Sequence, residues 1–256
     1  MTASVLYDDG NHKCIAFTDL VQGEAIRSNQ FLVVDAGDSM LLDPGGNPTC
    51  KDLLAEVARF APPFRTRYVF ASHEDPDIIA SANGWLLISD AKIVIAQEWA
   101  RFLPHFCLKG MTEGRVLSVP RRGMNLDLGT CELKIIPAHF LHAVGNFQVY
   151  DPVSRILFSG DLGASLIDET RVGPMVADFD HHLRSGHSGL FRRRYMTNNK
   201  VCRFWANMVR NLEIDCIAPQ HGGFLTERSL VNRFIDWVEG LECGTDLASE
   251  ADFAIP

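Results

Sequence analysis

Seven residues, Ser72-His73-Glu74-Asp75-Pro76-Asp77-Ile78, constrain this chain more than any other stretch. They place one imidazole and two alternating carboxylates side by side. The apolar run before them, Tyr68-Val69-Phe70-Ala71, reads as a buried strand. Three further ligand-type residues each close a strand-like segment. His142 lies in His139-Phe140-Leu141-His142-Ala143-Val144-Gly145-Asn146, Asp161 in Leu157-Phe158-Ser159-Gly160-Asp161, and His221 in Ala218-Pro219-Gln220-His221-Gly222-Gly223. Three imidazoles and three carboxylates are enough for two metal ions. The pattern is that of a binuclear metal site.

Sulfur and nitrogen donors suit soft and borderline cations, whereas carboxylates suit harder ones. The mixed set here fits Fe(II)/Fe(III), and zinc or manganese would be tolerated. None of the motifs contains a cysteine, which argues against a thiolate zinc site among them. The alternation His73-x-Asp75-x-Asp77 lets one loop address two ions, and a shared carboxylate would hold two cations close while offsetting their repulsion. Taken singly, each residue has a plainer role. An Asp after a strand is ordinarily a turn or helix cap, and a lone buried His is ordinarily a hydrogen-bonded core residue. The joint order of the motifs outweighs those readings. Glu74 is the rival of Asp75, and His139 is the rival of His142.

The order H-x-[DE]-x-D, then His, then Gly-Asp, then His-Gly resembles the metallo-β-lactamase superfamily. The carboxylate at Asp75, where zinc hydrolases of the superfamily have histidine, resembles its flavodiiron branch, and most of all the stand-alone oxygen-binding di-iron proteins. The resemblance runs from about Asn29 to Trp237 and implies an α/β fold, a single αββα sandwich with the metals at one edge. It implies that His73, Asp75 and His142 hold one metal, that Asp77 and His221 hold the other, and that Asp161 bridges them. The family's His-x-x-Gly turn, matched by Gly145, selects His142 over His139, which is left a supporting role. Register selects Asp75 over Glu74, which is expected to point away. One departure stands out: the histidine that often follows the second carboxylate is Ile78 here, which leaves the second metal with fewer protein ligands. Tyr195-Met196-Thr197-Asn198 resembles a Tyr-Tyr-x-Asn segment of the flavodiiron proteins, so the Tyr195 phenol is the candidate hydrogen-bond donor to bound oxygen.

At 256 residues the chain can bury one large core. We expect one domain over residues 1–242 and a loose tail over 243–256. A flavodoxin-like domain has no room in it, so no flavin is expected on this chain. Residues 29–46 read as a hairpin with a turn at Gly37-Asp38. Helices are expected over Leu53–Phe60, from about Phe191 to Leu212, and from Thr226, as cap, to Glu239. Strands are expected at 93–96, 133–136, 147–150, 156–158 and 214–219. No apolar run reaches the length of a membrane span, and the acidic N-terminal stretch is unlike a signal peptide. Seven scattered cysteines without a C-x-x-C pair suggest reduced thiols. A cytoplasmic location follows as the expectation.

A net charge of −8 disfavours a nucleic-acid surface. The single basic cluster, Arg192-Arg193-Arg194, reads as a solvated helix start. His181, His182 and His187 sit in a polar stretch that reads as a connector bordering the pocket, and His12 and His105 belong to no motif. The leading functional expectation is a non-haem di-iron protein that binds or reduces O2, with NO as the alternative gas. It would work either as a sensor or with electrons from a separate flavoprotein or rubredoxin. A homodimer is compatible with this reading. The competing expectation is a zinc- or manganese-dependent hydrolase of an ester, lactone, thioester or phosphodiester, in which two cations lower the pKa of a bridging hydroxide.

Overall fold

A computed structural model describes residues 2–21, 25–165, 175–176, 178–184 and 195–255. The strands are β1 Thr2–Asp8, β2 His12–Thr18, β3 Gln30–Asp35, β4 Asp38–Leu42, β5 Thr66–Phe70, β6 Lys92–Ala96, β7 Val116–Val119, β8 Met124–Leu128, β9 Cys131–Pro137, β10 Phe147–Asp151, β11 Ile156–Gly160 and β12 Cys216–Pro219. The α-helices are α1 Cys50–Val57, α2 Pro76–Ile79, α3 Ala82–Ile88, α4 Gln97–Ala100, α5 Phe179–Arg184, α6 Asn199–Val209 and α7 Arg228–Glu239.

The strands form two sheets, a seven-stranded one in the order β1-β2-β3-β4-β5-β6-β7 and a five-stranded one in the order β12-β11-β10-β9-β8. Strand alternation explains how they stack. Along β3, Phe31 and Val33 enter the apolar layer between the sheets, where they meet Leu133, Phe147 and Phe158. Leu32 and Val34 point the other way, to the layer under α1, α2 and α3 with Leu53, Val57, Ile78 and Trp85. On the far side, Tyr150, Leu157 and Ile217 of the five-stranded sheet meet α6 and α7 through Trp205, Val209, Phe234 and Val238. Each sheet is therefore apolar on both faces, so its strands read as near-continuous hydrophobic runs. The result is the expected αββα sandwich.

The β3–β4 hairpin is joined by Ala36 and Gly37, both at positive φ (48° and 86°). Two left-handed residues give a turn whose twist matches the strands it joins. Pro76 opens α2, where its missing N–H costs no helical bond.

Several expectations need correction. Thr226 does not cap α7, which starts at Arg228 with Glu227 in the cap position and no side-chain bond there. The helix expected from Phe191 is described only over Asn199–Val209, and Asn198 caps it by accepting from Val201 N at 3.3 Å. Four strands, β1, β2, β7 and β8, were not expected at all: Asn125 and Asp127 break the pattern of β8, and polar residues at their ends hide the short apolar runs of β1 and β2. The tail beyond 242 is tied down at its start. Cys243 is fully buried, Asp246 accepts from Asn199 N, and Thr245 N donates to Thr197 O. Arg192–Arg194 and His187 lie outside the described residues. No helix among the described residues is long and apolar enough to cross a membrane.

Candidate metal centre

Parallel pairing of β4 with β5, and of β11 with β12, sends several strand ends to one edge of the sandwich. The loop after β5 carries His73, Asp75 and Asp77. Asp161 directly follows β11, His221 follows β12, and His142 lies in the loop before β10, a strand antiparallel to β11. All six sequence candidates meet there.

Asp161 lies at the middle of the group, only 3% exposed. Its Oδ2 faces His73 Nε2 at 3.8 Å and His142 Nδ1 at 3.4 Å, while its Oδ1 faces His221 Nε2 at 3.4 Å. Asp75 Oδ2 lies 3.6 Å from His73 Nε2 and 3.1 Å from His142 Nε2. Asp77 Oδ2 lies 3.5 Å from His221 Nε2. The two oxygens of one carboxylate thus divide the set, with His73, Asp75 and His142 on one side and Asp77 and His221 on the other. His73 Nε2 and Asp161 Oδ1 are buried and make no hydrogen bond among the described residues. Buried polar atoms are rarely left so, and a cation suits both. The donor types suit metal ions, and among the described residues His73, His142 and Asp161 bring their donor atoms close enough together for one ion.

Two of the three imidazoles are turned by a second contact. His221 Nδ1–H donates to Arg27 O at 2.6 Å, which leaves Nε2 facing the carboxylates. His73 Nδ1 is 2.9 Å from Ser72 Oγ. The Ser72 backbone N–H donates in turn to buried Asp43 Oδ1 at 2.7 Å. Asn29 Nδ2 donates to Pro219 O and Gly222 O on either side of His221. Gly145 is required by space: a Cβ there would come within 2.9 Å of Ala96 Cβ and the Trp99 ring.

The electrostatics follow from crowding opposite charges in a dry site. Burial works to lower the His73 and His221 pKa values, but the facing carboxylates, Asp161 foremost, outweigh it and raise both to about 9. The His142 and His73 contacts hold the Asp75 carboxyl well below its ordinary range. Burial would raise Asp161, and the charges of His221 and His73 reverse this and depress it. Asp77 is raised by burial, and Asp43 is raised to about 6 for the same reason.

The weaker candidates separate. Tyr195 stacks on the His142 ring at 4.9 Å and 28°, and is 41% exposed. His139 Nε2–H donates to Arg121 O at 2.7 Å, and its ring meets Phe147 edge-on, so it supports the loop from outside the group of six. Beside it a cavity of about 460 Å³ is lined by Ala138, Phe140, Leu141, Phe204 and Trp205. Glu74 makes none of the contacts that join the six, though its Oε2 is buried and burial raises its pKa. Ile78 is fully buried in the layer under α1–α3. His181 is exposed, whereas His182 is buried and donates from Nε2 to Gly163 O at 3.1 Å, supporting the turn after Asp161. Sequence reasoning missed Asp43, Asn29 and His182 as supports. The only signals they gave were a turn motif and a polar connector.

A family model described as ODP family beta lactamase matches residues 26–222. A structure titled as the peroxy diiron species of the chemotaxis sensor ODP is 37% identical, covers 99% of this chain and 100% of its own, and superposes with a TM-score of 0.87. The apo state of chemotaxis sensor ODP from T. denticola is 38% identical over 99% of each chain, with a TM-score of 0.85. A mutant flavo di-iron protein from Thermotoga maritima shares the fold at 19% identity and a TM-score of 0.74, over 93% of this chain and 61% of that one. A curated relative, an uncharacterised protein of Methanocaldococcus jannaschii, is 23% identical over 216 residues, 82% of this chain and 52% of its own. The chain thus spans about half the length of that relative.

Proposed function

This chain belongs to the ODP family beta lactamases, and from that premise we propose that it is a di-iron oxygen sensor with its iron at the six-residue centre. The observation that carries the reading is the division of the six side chains about the two oxygens of Asp161. His73, Asp75 and His142 would hold one iron, Asp77 and His221 the other, and Asp161 both. The likeness to structures titled as a chemotaxis sensor, at 37% and 38% identity over nearly the whole chain, supports sensing over turnover.

Two ferrous ions held there would supply the electrons that O2 takes up. The remaining work falls to the chain's own residues. Asp161 and Asp75 stay ionised at neutral pH, because the surrounding imidazoles depress them. Arg27 O and Ser72 Oγ fix the faces that His221 and His73 present. The side of Asp77 and His221 has fewer protein donors, two besides Asp161 against three on the other side, so that side would be the more open one for a diatomic gas. Tyr195, whose ring stacks on His142, would be the donor of a hydrogen bond to the bound gas.

Anaerobic reconstitution with Fe(II) followed by titration with O2 tests the reading. About two iron ions per chain and uptake of O2 that stops at stoichiometry are expected. Sustained O2 or NO consumption with a flavoprotein or rubredoxin donor would make it a reductase instead. Zinc alone, with no iron uptake and with ester or phosphodiester hydrolysis, would refute the di-iron reading.

A further inference from the structure

A second set of metal-type donors meets at the opposite end of the sandwich, on strands β2, β3 and β10. β3 runs antiparallel to β4, and β10 antiparallel to β11, so Asp35 and Asp151 close their strands at the end remote from His73 and Asp161. His12 opens β2 and is 1% exposed. Its Nδ1 lies 2.9 Å from Asp35 Oδ1 and its Nε2 2.7 Å from Asp151 Oδ2. Cys14 Sγ, fully buried, lies 3.2 Å from the same Asp151 oxygen and 3.7 Å from His12 Nε2. Asp35 Oδ2 is held by Thr130 N and Thr130 Oγ1, and Asp151 Oδ1 accepts from Val153 N at 3.0 Å. A cavity of about 520 Å³ lined by Asn11, His12, Asp35 and Cys131 adjoins the cluster on the Asp35 side of the imidazole.

We propose that His12 Nε2, Cys14 Sγ and Asp151 Oδ2 form a separate Zn²⁺ site, with Asp35 orienting His12 through its Nδ1–H. One nitrogen, one sulfur and one oxygen make a donor set suited to zinc, unlike the thiol-free set at the other end. Tetrahedral zinc bonds of ordinary length put donors about 3.3–3.6 Å apart. The two sulfur contacts already bracket that range, and only the His12–Asp151 pair must open, by about 0.6 Å. Asp35 is the carboxylate that commonly backs a metal-bound imidazole, and it is itself fixed by Thr130.

Charge does not oppose the exchange. Zn²⁺ replaces two protons, one from the imidazolium Nε2 and one from the Cys14 thiol. The formal charge of the buried cluster is then the same before and after, and the two protons leave to solvent. An imidazolium held between two carboxylates would account for His12 alone. Asp151 Oδ2 also accepts from Ser154 Oγ, and Cys14 Sγ lies 3.4 Å from that hydroxyl, so His12, Cys14 and Ser154 all converge on one carboxylate oxygen. The bound ion would join the seven-stranded sheet, through His12 and Cys14, to the five-stranded sheet through Asp151.

Cobalt tests this on the full chain. Co²⁺ titrated into metal-free protein should produce a near-ultraviolet sulfur-to-cobalt charge-transfer band saturating at about one thiolate-bound ion per chain. None of the six residues of the other centre carries sulfur, so that band cannot come from there, and the cysteine substitutions decide which thiol gives it. Cys14→Ser, an isosteric change, should abolish the band and keep the visible cobalt bands of the other centre, and Cys131→Ser should leave the thiolate band in place. The proposal is overturned if wild-type protein shows no thiolate band, or if the band survives Cys14→Ser. Neither result bears on the di-iron reading, which is tested by iron content and O2 uptake.

Discussion

Replacing Gly145 by alanine tests how the loop that carries His142 is held. The added Cβ would lie 2.9 Å from Ala96 Cβ and 2.9 Å from Trp99 Cδ1 and Nε1. Ordinary contacts need about 3.5–4.0 Å, so two neighbours must retreat by roughly half an ångström to one ångström. Ala96 ends β6 and cannot move without its strand. Trp99 can tilt, but its ring is already packed against Phe102 at 5.6 Å. Overpacking of this kind costs about 1–3 kcal/mol. In a chain of this size each kcal/mol lowers Tm by roughly 2–4 °C, so a fall of about 2–12 °C is expected in the metal-free protein. The loop can yield instead, and that would carry His142, three residues away, off Asp75 and Asp161. First-side metal affinity should then fall by roughly 10–100-fold, as when a supporting contact is lost. Thermal melts of the metal-free protein and calorimetric metal titration measure the two effects. Gly240→Ala is the control, because its Cβ would meet nothing nearer than 3.8 Å. It should stay within about 0.5 kcal/mol of wild type. If Gly145→Ala matches that control in both Tm and affinity, the close approach to Trp99 does not position His142.

Other outcomes follow from the same geometry. His142→Ala should remove most metal from its side of the centre. His139→Ala should change affinity by about 10-fold at most, since His139 touches Arg121 O and Phe147 and not the group of six; elemental analysis of both decides it. Tyr195→Phe should leave iron content unchanged and weaken O2 retention by roughly 2–10-fold, the worth of one hydrogen bond, as read from the O2 dissociation rate. The metal-free protein should lose stability as pH rises. His73 and His221 are raised to about 9, so their contributions are complete below the ordinary imidazole pKa and vanish as pH climbs through 9. Asp43, raised to about 6, adds to the loss in the same direction, whereas Asp161 and Asp75, both depressed, lose their contribution only as pH falls below the ordinary carboxylate range. Denaturant melts between pH 6 and 9 should show the decline without metal and a flatter curve with it.

The order of the six candidates was legible because His73 lies three residues after β5, Asp161 directly follows β11 and His221 lies two residues after β12, all at the ends of apolar strands, with Asp75 and Asp77 next to His73. A polar side chain at such an edge stands out against near-continuous hydrophobic runs such as Leu157-Phe158 or Ile217-Ala218. The β3–β4 hairpin and the helix-opening role of Pro76 were equally local, set by turn and proline chemistry. Strands β1, β2, β7 and β8 were not legible. His12 and Lys13 at the start of β2 look like loop residues until Asp35 and Asp151, 23 and 139 positions away, are brought against His12. The same holds for the supports of the centre. Asn29 reaches Gly222 O across 193 positions, and His221 reaches Arg27 O across 194. Periodicity records which face of an element is buried, but not what that face meets. The residues proposed to hold metal are therefore written in the chain. Which oxygen of Asp161 faces which imidazole, and which buried group turns each ring, was decided only when two sheets packed face to face and brought distant strand ends to one edge.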